Sequence, residues 1–458
     1  MFPESRQFDA ALQVVKELRS AGYEAYLAGG CVRDLLLGRE PKDYDVATSA
    51  TPDAVLGLFK RTFAVGAHFG VVLVADSDED GNGTTEVATF RSDGAYSDGR
   101  WPDTVRYTRN AEEDVRRRDF TVNGLLLDPL CGMEFWKSAE GMRSAVIDYV
   151  GGLADLDAGV VRAIGRAEAR FEEDRLRMLR GVRFAARFGF ELEAETAAAT
   201  RALAARIHAV SRERVRDELT KMLTEGRARR AFELLDETGL LAEVLPEVAR
   251  MKGVEQPAQF HPEGDVWTHT LLLLEQLEAG CSATLAWGAL LHDVGKPPTF
   301  RRAPDRIRFD GHVEVGVAMG AEICRRFRFS NDETAQILSL IENHMRFADA
   351  ARMKASTLKR FFRLPDFEQH LELHRIDCLA GSGNLEHWEY VRERWVAMPE
   401  EMVRPQPLIT GRELIAAGYA PGAGFKEMLR AVEDAQLEGT IATAEEALRL
   451  VKERFPKE

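Results

Sequence analysis

Cysteine is scarce in this chain and is nowhere arranged for chemistry. Cys31, Cys131, Cys281, Cys324 and Cys378 are odd in number, scattered through 458 residues and never spaced as CxxC. That pattern excludes a disulfide framework and a cysteine-based zinc site, and it fits reduced thiols in a cytoplasmic setting. Long apolar runs are missing as well. Leu285–Leu291 is among the longest, well short of the ~18 residues a membrane span requires, so no membrane partner is expected. Residues 1–18 are acidic and amphipathic, unlike the charged-then-apolar order of a signal peptide. No repeat of fixed period is visible. Positive charge is in deficit: 61 Lys/Arg against 75 Asp/Glu give a net charge of -14. Taken whole, that balance argues against nucleic acid as a partner. Residues 161–230 reverse it locally, with 17 Lys/Arg against 11 Asp/Glu, an excess of six positive charges. A set of solvated helix faces accounts for this excess equally well on charge alone.

What is present is ordinary in bulk and specific in detail. Hydrophobic and charged fractions of 45% and 30% are those of soluble globular protein, and the length allows about three domains. Residues 20–150 read as a compact α/β domain, with strands at Glu24–Ala28, Tyr44–Ala47, Val71–Ala75 and Glu86–Phe90. Thr51-Pro52-Asp53 opens a helix, a Thr cap followed by Pro at the first helical position. Asp76–Gly83 is an acidic glycine loop, and Arg91–Asn110 reads as a polar mobile loop. From Gly151 the pattern turns helical, with apolar spacings of three and four over Phe171–Phe188 and Ala194–Ala209. Ser211–Gly226 and Ala228–Gly239 continue it. Residues 253–265 read as a linker, Thr268–Met398 as helical, and Pro405-Gln406-Pro407 as a break before an acidic helical tail.

The most informative stretch is Gly29-Gly30-Cys31-Val32-Arg33-Asp34 followed by Asp43-Tyr44-Asp45. Two glycines after an apolar strand let backbone approach a phosphate. Two carboxylates at i and i+2 of a strand point to one side, where they can hold divalent cations that bridge triphosphate oxygens and a hydroxyl nucleophile. Glu86 can add a third carboxylate, although a lone strand Glu more often faces solvent. Arg116-Arg117-Arg118-Asp119 is a dense cationic cluster suited to phosphate oxygens, or else a plain basic helix start. Asp174 and Arg177, at i and i+3, share a helix face. An acceptor beside a donor can pair with a nucleobase edge, or simply form a salt bridge. Ser211-Arg212-Glu213-Arg214-Val215-Arg216-Asp217-Glu218 reads as a capped helix start.

Taken in order, GGCVRD, DYD, EVATFR, RRRDFTVN, EEDRLRMLR and SRERVRDEL resemble the bacterial-type (class II) tRNA nucleotidyltransferase and poly(A) polymerase family over roughly residues 20–245. The resemblance implies an α+β architecture: a polymerase-β-like head at 1–150, a helical neck at 151–210 with the base-selecting motif, and an RNA-binding body at 211–252. A helical metal-phosphohydrolase-like domain at 253–400 and a tail at 401–458 follow. It implies Asp43 and Asp45 as Mg²⁺ ligands with Glu86 as a third catalytic carboxylate. Gly29, Gly30, Arg33, Arg117, Arg118, Asp119, Asn123 and Arg180 are implied around the nucleotide. Asp174 and Arg177 are implied as a protein template that accepts CTP and ATP. The implied partners are tRNA, CTP and ATP. Gly124 departs from the Ala usual in the family, with little consequence expected. Val65–Val72 is closer to the tRNA enzymes than to poly(A) polymerases, and the stretch from Phe90 to Val105 is complete, which favours CCA or A addition over CC addition.

A second constellation follows. His261 and His269 precede His292-Asp293-Val294-Gly295-Lys296, and His312, His344 and Asp377 come after. Imidazole and carboxylate gathered from several helices suit one or two divalent metals. The order and the HDxGK signature resemble the HD-domain phosphohydrolases. That likeness implies His269, His292, Asp293 and Asp377 as ligands of a divalent metal, His312 and His344 completing a second site, and Lys296 near phosphate.

Overall fold

The computed structural model describes residues 5–63, 70–75, 83–93, 105–132, 139–257, 259 and 262–456. Residues 76–82 of the expected acidic loop, 65–69 of Val65–Val72, 94–104 of the expected mobile loop, and His261 lie outside them. The chain divides into two compact units, Met1–Pro246 and Glu247–Glu458.

The first unit opens with α1 (Arg6–Ser20), β1 (Ala25–Ala28), α2 (Gly30–Leu36), β2 (Val46–Thr48) and α3 (Pro52–Leu58). Next come β3 (Thr62–Phe63), β4 (Val71–Ala75), β5 (Thr84–Thr89), β6 (Arg91–Asp93) and β7 (Val105–Tyr107). The head closes with α4 (Ala111–Arg116), β8 (Leu125–Leu127), α5 (Ala139–Ser144), β9 (Val146–Asp148) and α6 (Gly152–Ala158). Seven strands form one sheet in the order β3-β4-β5-β2-β1-β8-β9, in which β2 and β5 run parallel and the other pairs antiparallel. Phe8, Ala11, Val14, Val15 and Leu18 form the buried stripe of α1 and share one core with Leu27, Val46, Val72, Val87 and Leu125 of the sheet. The Ser5 hydroxyl caps α1 by accepting from Phe8 N at 3.2 Å, and Thr51 caps α3 through Ala54 N at 3.4 Å as its sequence predicts. Truncating a buried leucine of this core, such as Leu27, costs about 2–5 kcal/mol.

Three expectations change. The strand expected over Tyr44–Ala47 pairs only over Val46–Thr48, so Asp43 and Asp45 precede the ladder. Tyr44 turns inward against Phe8, ring centroids 5.4 Å apart, and the two acids flank it. The stretch Arg91–Asn110 is not loop throughout, because β6 and β7 pair antiparallel at its ends. The single helix expected over Phe171–Phe188 is two, α7 (Ala167–Glu173) and α8 (Leu176–Phe188). Asp174 is extended, at φ -142° and ψ 106°, and its Oδ1 accepts from Leu176 N at 3.0 Å. A short carboxylate satisfies the open N–H groups of the second helix better than it continues the first. Thereafter α9 (Ala194–Leu203), a 3₁₀ stretch at Ala204–Ala209, α10 (Arg212–Thr224) and α11 (Ala228–Glu237) complete most of the unit.

The second unit is helical, apart from a two-residue-strand hairpin at Arg301–Arg302 and Ile307–Arg308. Helices Val266–Glu275, Ala283–Leu291, His312–Phe327, Asn331–Asn343 and Phe367–Ala380 pack together. Trp287, Leu290, Leu291, Ile337, Leu340 and Ile341 are buried among them. Gly295 allows close passage of the chain, since a Cβ there would lie 2.0 Å from the His312 carbonyl oxygen. A separate apolar cluster of Ile409, Leu414, Tyr419, Val432, Ala447 and Val451 supports the C-terminal helices. No helix among the described residues is long and apolar enough to cross a membrane.

Candidate functional site

The parallel register Val46↔Val87, carried back one residue, sets Asp45 beside Glu86. Ala28 N fixes the segment by donating to the Asp45 carbonyl at 3.0 Å. Loss of solvation and the charges of Glu86 and Asp43, partly offset by Arg118, push Asp45 up to about 6. Shielding from water and the charge of Asp43 also raise Glu86. Two carboxylates pushed up in this way beside a third can serve as a donor set for a divalent cation, which replaces the protons and removes the repulsion. The sequence-predicted trio is therefore brought together, with Asp43 exposed and Asp45 and Glu86 lining a cleft of about 530 Å³.

Gly29 and Gly30 also line this cleft. Gly29 takes φ +73°, which favours glycine, and a Cβ there would crowd Arg118 Nη1 at 3.0 Å. Arg33 is buried, donates to Asn123 Oδ1 and holds Asp34 Oδ1 at 2.8 Å. Asp119 accepts from Asn123 Nδ2 at 3.1 Å and is paired with Arg180 at 2.7 Å. Burial would raise its pKa, but Arg180 and the Asn123 bond hold it at about 2. Arg117 and Arg118 both lean on the buried Asp114, at 2.7 and 3.0 Å. Asp114 does not stand out in the sequence as a functional residue, although its spacing of three and four before the two arginines marks helical pairing.

Asp174 and Arg177 line the same cleft, but with Asp174 on the break between α7 and α8 and Arg177 in the first turn of α8 rather than both on one helix face. Each is held by a residue that lies within the motifs read from sequence but has no role assigned there. Arg214 Nη2 donates to Asp174 Oδ2 at 2.8 Å, and Arg177 Nη1 donates to Glu173 Oε2 at 2.6 Å. The i,i+4 spacing of Glu173 and Arg177 is legible in the sequence, whereas nothing there joins Arg214 to Asp174 across 40 residues. Ser211 stands at the N-cap of α10 as the sequence predicts, but its side chain makes no cap bond.

In the second unit all six expected ligands meet, in two groups: His269, His292 and Asp377, and Asp293, His312 and His344, each with its ligand atoms within 4.8 Å of one another. The two groups touch, with His292 Nε2 3.2 Å from Asp293 Oδ2. Nδ1 of His292, His312 and His344 lies 2.8, 3.0 and 2.7 Å from the carbonyls of Ala289, Phe309 and Ile341. A carbonyl only accepts, so each Nδ1 carries a hydrogen, and in the neutral ring Nε2 then holds the lone pair. Those three buried Nε2 atoms have no hydrogen-bond partner among the described residues. Burial and the neighbouring His292 lower His344 to about 4, and burial lowers His312. Neutral imidazoles with inward lone pairs beside carboxylates fit a metal centre. His269 is set differently: burial opposes its charge, but Asp377 at 3.0 Å and Glu263 at 2.8 Å raise it to about 9. Lys296 Nζ bridges Asp293 Oδ2 and Gln256 Oε1, both at 2.7 Å. Glu263 and Gln256 carry no signal in the sequence, since each acts through a neighbour.

Comparison with known proteins follows the same division. The family model for the poly A polymerase head domain matches residues 25–162, that for a probable RNA- and SrmB-binding site of polymerase A matches 189–252, and that for the HD domain matches 265–379. A CCA-adding enzyme of Lactobacillus gasseri is 40% identical over 276 residues, which span 58% of this chain and 64% of that protein's length. A CCA-adding enzyme of Geobacillus kaustophilus is 31% identical over 447 residues, 96% of this chain and 95% of that one. The crystal structure of the Bacillus stearothermophilus CCA-adding enzyme in complex with CTP superposes with a TM-score of 0.70, 28% identity and 98% coverage of both chains. On this near-complete match the chain belongs to the family of CCA-adding enzymes.

Proposed function

We propose that this protein adds CMP, CMP and AMP to tRNA 3′ ends from CTP and ATP, in the cytoplasm and without a nucleic-acid template. The observation that carries the reading is the convergence of Asp45, Glu86, Asp174 and Arg177 on one cleft, which sets metal-binding carboxylates and a donor–acceptor pair around one nucleotide-sized space. Asp43 and Asp45, with Glu86, would hold Mg²⁺. When bound, Mg²⁺ activates the 3′-hydroxyl and neutralises charge on the triphosphate. Asp45 is ionised at neutral pH, as a ligand must be, because its pKa is about 6. Gly29 and Gly30 admit the triphosphate to the backbone, and Arg117 and Arg118, steadied by Asp114, face its oxygens. Arg33, Asp119, Asn123 and Arg180 surround phosphate and ribose. Asp174 accepts from and Arg177 donates to the base edge, with Arg214 and Glu173 holding both side chains in place. The neck and body, residues 151–210 and 211–252, which contain the basic stretch 161–230, bind tRNA phosphates by shape.

The domain at 253–400 is proposed as a divalent-metal phosphohydrolase, supported by the three inward Nε2 lone pairs. His269, His292, Asp293 and Asp377, with His312 and His344, would hold the metal, and Lys296 would meet a phosphate oxygen. Retention of the Asp pair and the Arg cluster weighs against a phosphohydrolase with a vestigial head. Full-length similarity to enzymes named for CCA addition weighs against A-only addition and poly(A) synthesis. The deciding experiment incubates the protein with tRNA lacking its 3′ end and with tRNA ending in CC, offering CTP and ATP separately and together. Two cytidines from CTP and one adenosine onto the CC end are expected. Adenosine addition alone would leave an A-adding enzyme, and a long adenosine run would leave a poly(A) polymerase.

A further inference from the structure

Phe184, on α8, lines the cleft yet is only 5% exposed. Three guanidinium groups approach its ring: Arg183 at 4.3 Å, Arg33 at 5.2 Å and Arg180 at 5.3 Å from the centroid. Phe120, next in sequence to Asp119, meets the ring edge-on at 5.9 Å. Three cations this close to one another repel, and the negative faces of an aromatic ring offset that repulsion where an aliphatic side chain of equal volume would not. Each cation also has a second attachment. Arg33 donates to Asn123 Oδ1, Arg180 pairs with Asp119 at 2.7 Å, and Arg183 pairs with the buried Glu218 at 2.6 Å. Asn123 and Asp119 are themselves bonded at 3.1 Å. The bonds run from Arg33 through Asn123 and Asp119 to Arg180, and the Phe184 ring, which both end arginines approach, closes that chain; Arg33 also lies 4.4 Å from the Phe188 centroid, and Arg183 anchors the ring to α10. Asp174 and Arg177 are held by other partners, Arg214 and Glu173.

We infer that Phe184 is a positioning residue for the incoming nucleoside triphosphate: its π face sets Arg33 and Arg180, and through them Asn123 and Asp119, without regard to which base is read. This rests on the transferase reading above. It predicts that weakening the ring's quadrupole weakens CTP and ATP alike and leaves base choice alone.

The test replaces Phe184 in the full-length protein by mono-, di- and trifluorophenylalanine, which keep the shape of the ring while draining its face of negative charge, and by leucine. CTP and ATP dissociation constants are measured with Mg²⁺ present, together with KM, kcat, the CTP-to-UTP preference and the thermal midpoint. The expected result is a stepwise rise in Kd and KM for both nucleotides, reaching about tenfold for the trifluoro ring, the size of a partly desolvated cation–π contact. The CTP-to-UTP preference and the midpoint stay constant, and Phe184→Leu binds more weakly than any fluorinated ring. A flat fluorine series, a changed base preference, or a leucine variant that binds like wild type would each overturn the assignment while leaving the transferase reading intact. A wild-type protein that binds neither triphosphate would overturn that reading and this assignment with it.

Discussion

At the head cleft, the side chains suited to a cation are Asp43, Asp45 and Glu86, half-exposed or exposed carboxylates that repel one another. At the HD centre they are mostly imidazoles, buried and turned inward by carbonyls of Ala289, Phe309 and Ile341. The contrast separates two ways of holding a divalent ion. Oxygen ligands on an open strand end leave most of the coordination sphere to substrate and water, which suits an ion that arrives with a triphosphate. Nitrogen ligands whose tautomer is already set suit an ion that stays when substrate leaves. The most severe way to break the contrast is Asp45→Ala. Loss of nucleotide addition by about 10³-fold or more is expected, read as incorporation of labelled CMP and AMP, with tRNA binding kept. Loss of metal from the HD centre in the same variant, measured by elemental analysis, would show the two sites to be one system.

Next in size is Gly295→Ala. The new Cβ would fall 2.0 Å from the His312 carbonyl oxygen and 2.6 Å from Gly316 N, and backbone cannot give way as a side-chain tip can. The backbone beside His292-Asp293 must shift, so metal retention after dialysis and any phosphatase activity should fall by about tenfold to a hundredfold, while CMP and AMP addition continues. Unchanged metal content would mean that the HD ligands tolerate displacement that the contrast says they should not.

The two centres also differ in how far the sequence discloses them. The metal-binding candidates of both, from Asp43 to Asp377, are legible in the sequence alone, because DxD and HDxGK are short patterns whose chemistry shows in the residue types. The partners that hold them are visible only where helical spacing does the holding, as with Asp114 before Arg117 and Arg118, or Glu173 before Arg177. Arg214 on Asp174, Glu263 on His269 and Gln256 on Lys296 come from separate elements, and no local pattern announces them. The break at Asp174 is hidden for a related reason. The apolar period of Phe171–Phe188 continues across it, and a single capping carboxylate outweighs that period locally. The β6–β7 pairing leaves little trace in the sequence because Arg91–Asp93 is polar throughout and the alternation of Val105–Tyr107 is only three residues long.

Protonation gives a third, smaller handle, and the two centres should respond with opposite sign. In metal-free protein Asp45 titrates near 6 instead of 3.8, so the folded state holds a proton that the unfolded chain has released, and stability falls as pH rises between those values. His344 titrates near 4 instead of 6.5, so the unfolded chain holds the extra proton and stability rises with pH across that window. Asp45→Asn should flatten the first dependence and His344→Gln the second, each by about 1–3 kcal/mol in denaturant midpoints taken from pH 4 to 7 with chelator present. Slopes of equal sign would remove the electrostatic half of the comparison.

The smallest expected effect lies at Gly124 and tests whether the head is as tightly fitted as the HD centre. A Cβ there would meet Val150 Cγ2 at 2.8 Å, with Ile164 Cδ1 and Val115 Cγ1 each at 3.2 Å. These are methyl ends of side chains, in contrast to the backbone atoms around Gly295, and they can turn aside by a few tenths of an ångström. Gly124 also has an ordinary negative φ of -88°, so alanine adds no backbone strain and lowers the entropy of the unfolded chain. Crowding and entropy therefore oppose one another, and Gly124→Ala should cost about 1 kcal/mol or less, a shift of a few degrees in thermal midpoint, with CTP and ATP addition unchanged. The expectation from sequence, that glycine in place of the usual alanine matters little, then holds for activity. It holds because Val115, Val150 and Ile164 fill the space that an alanine methyl would take. A loss of several kcal/mol would mean that those three side chains are as immovable as the carbonyl beside Gly295, and the head would no longer be the more forgiving of the two centres.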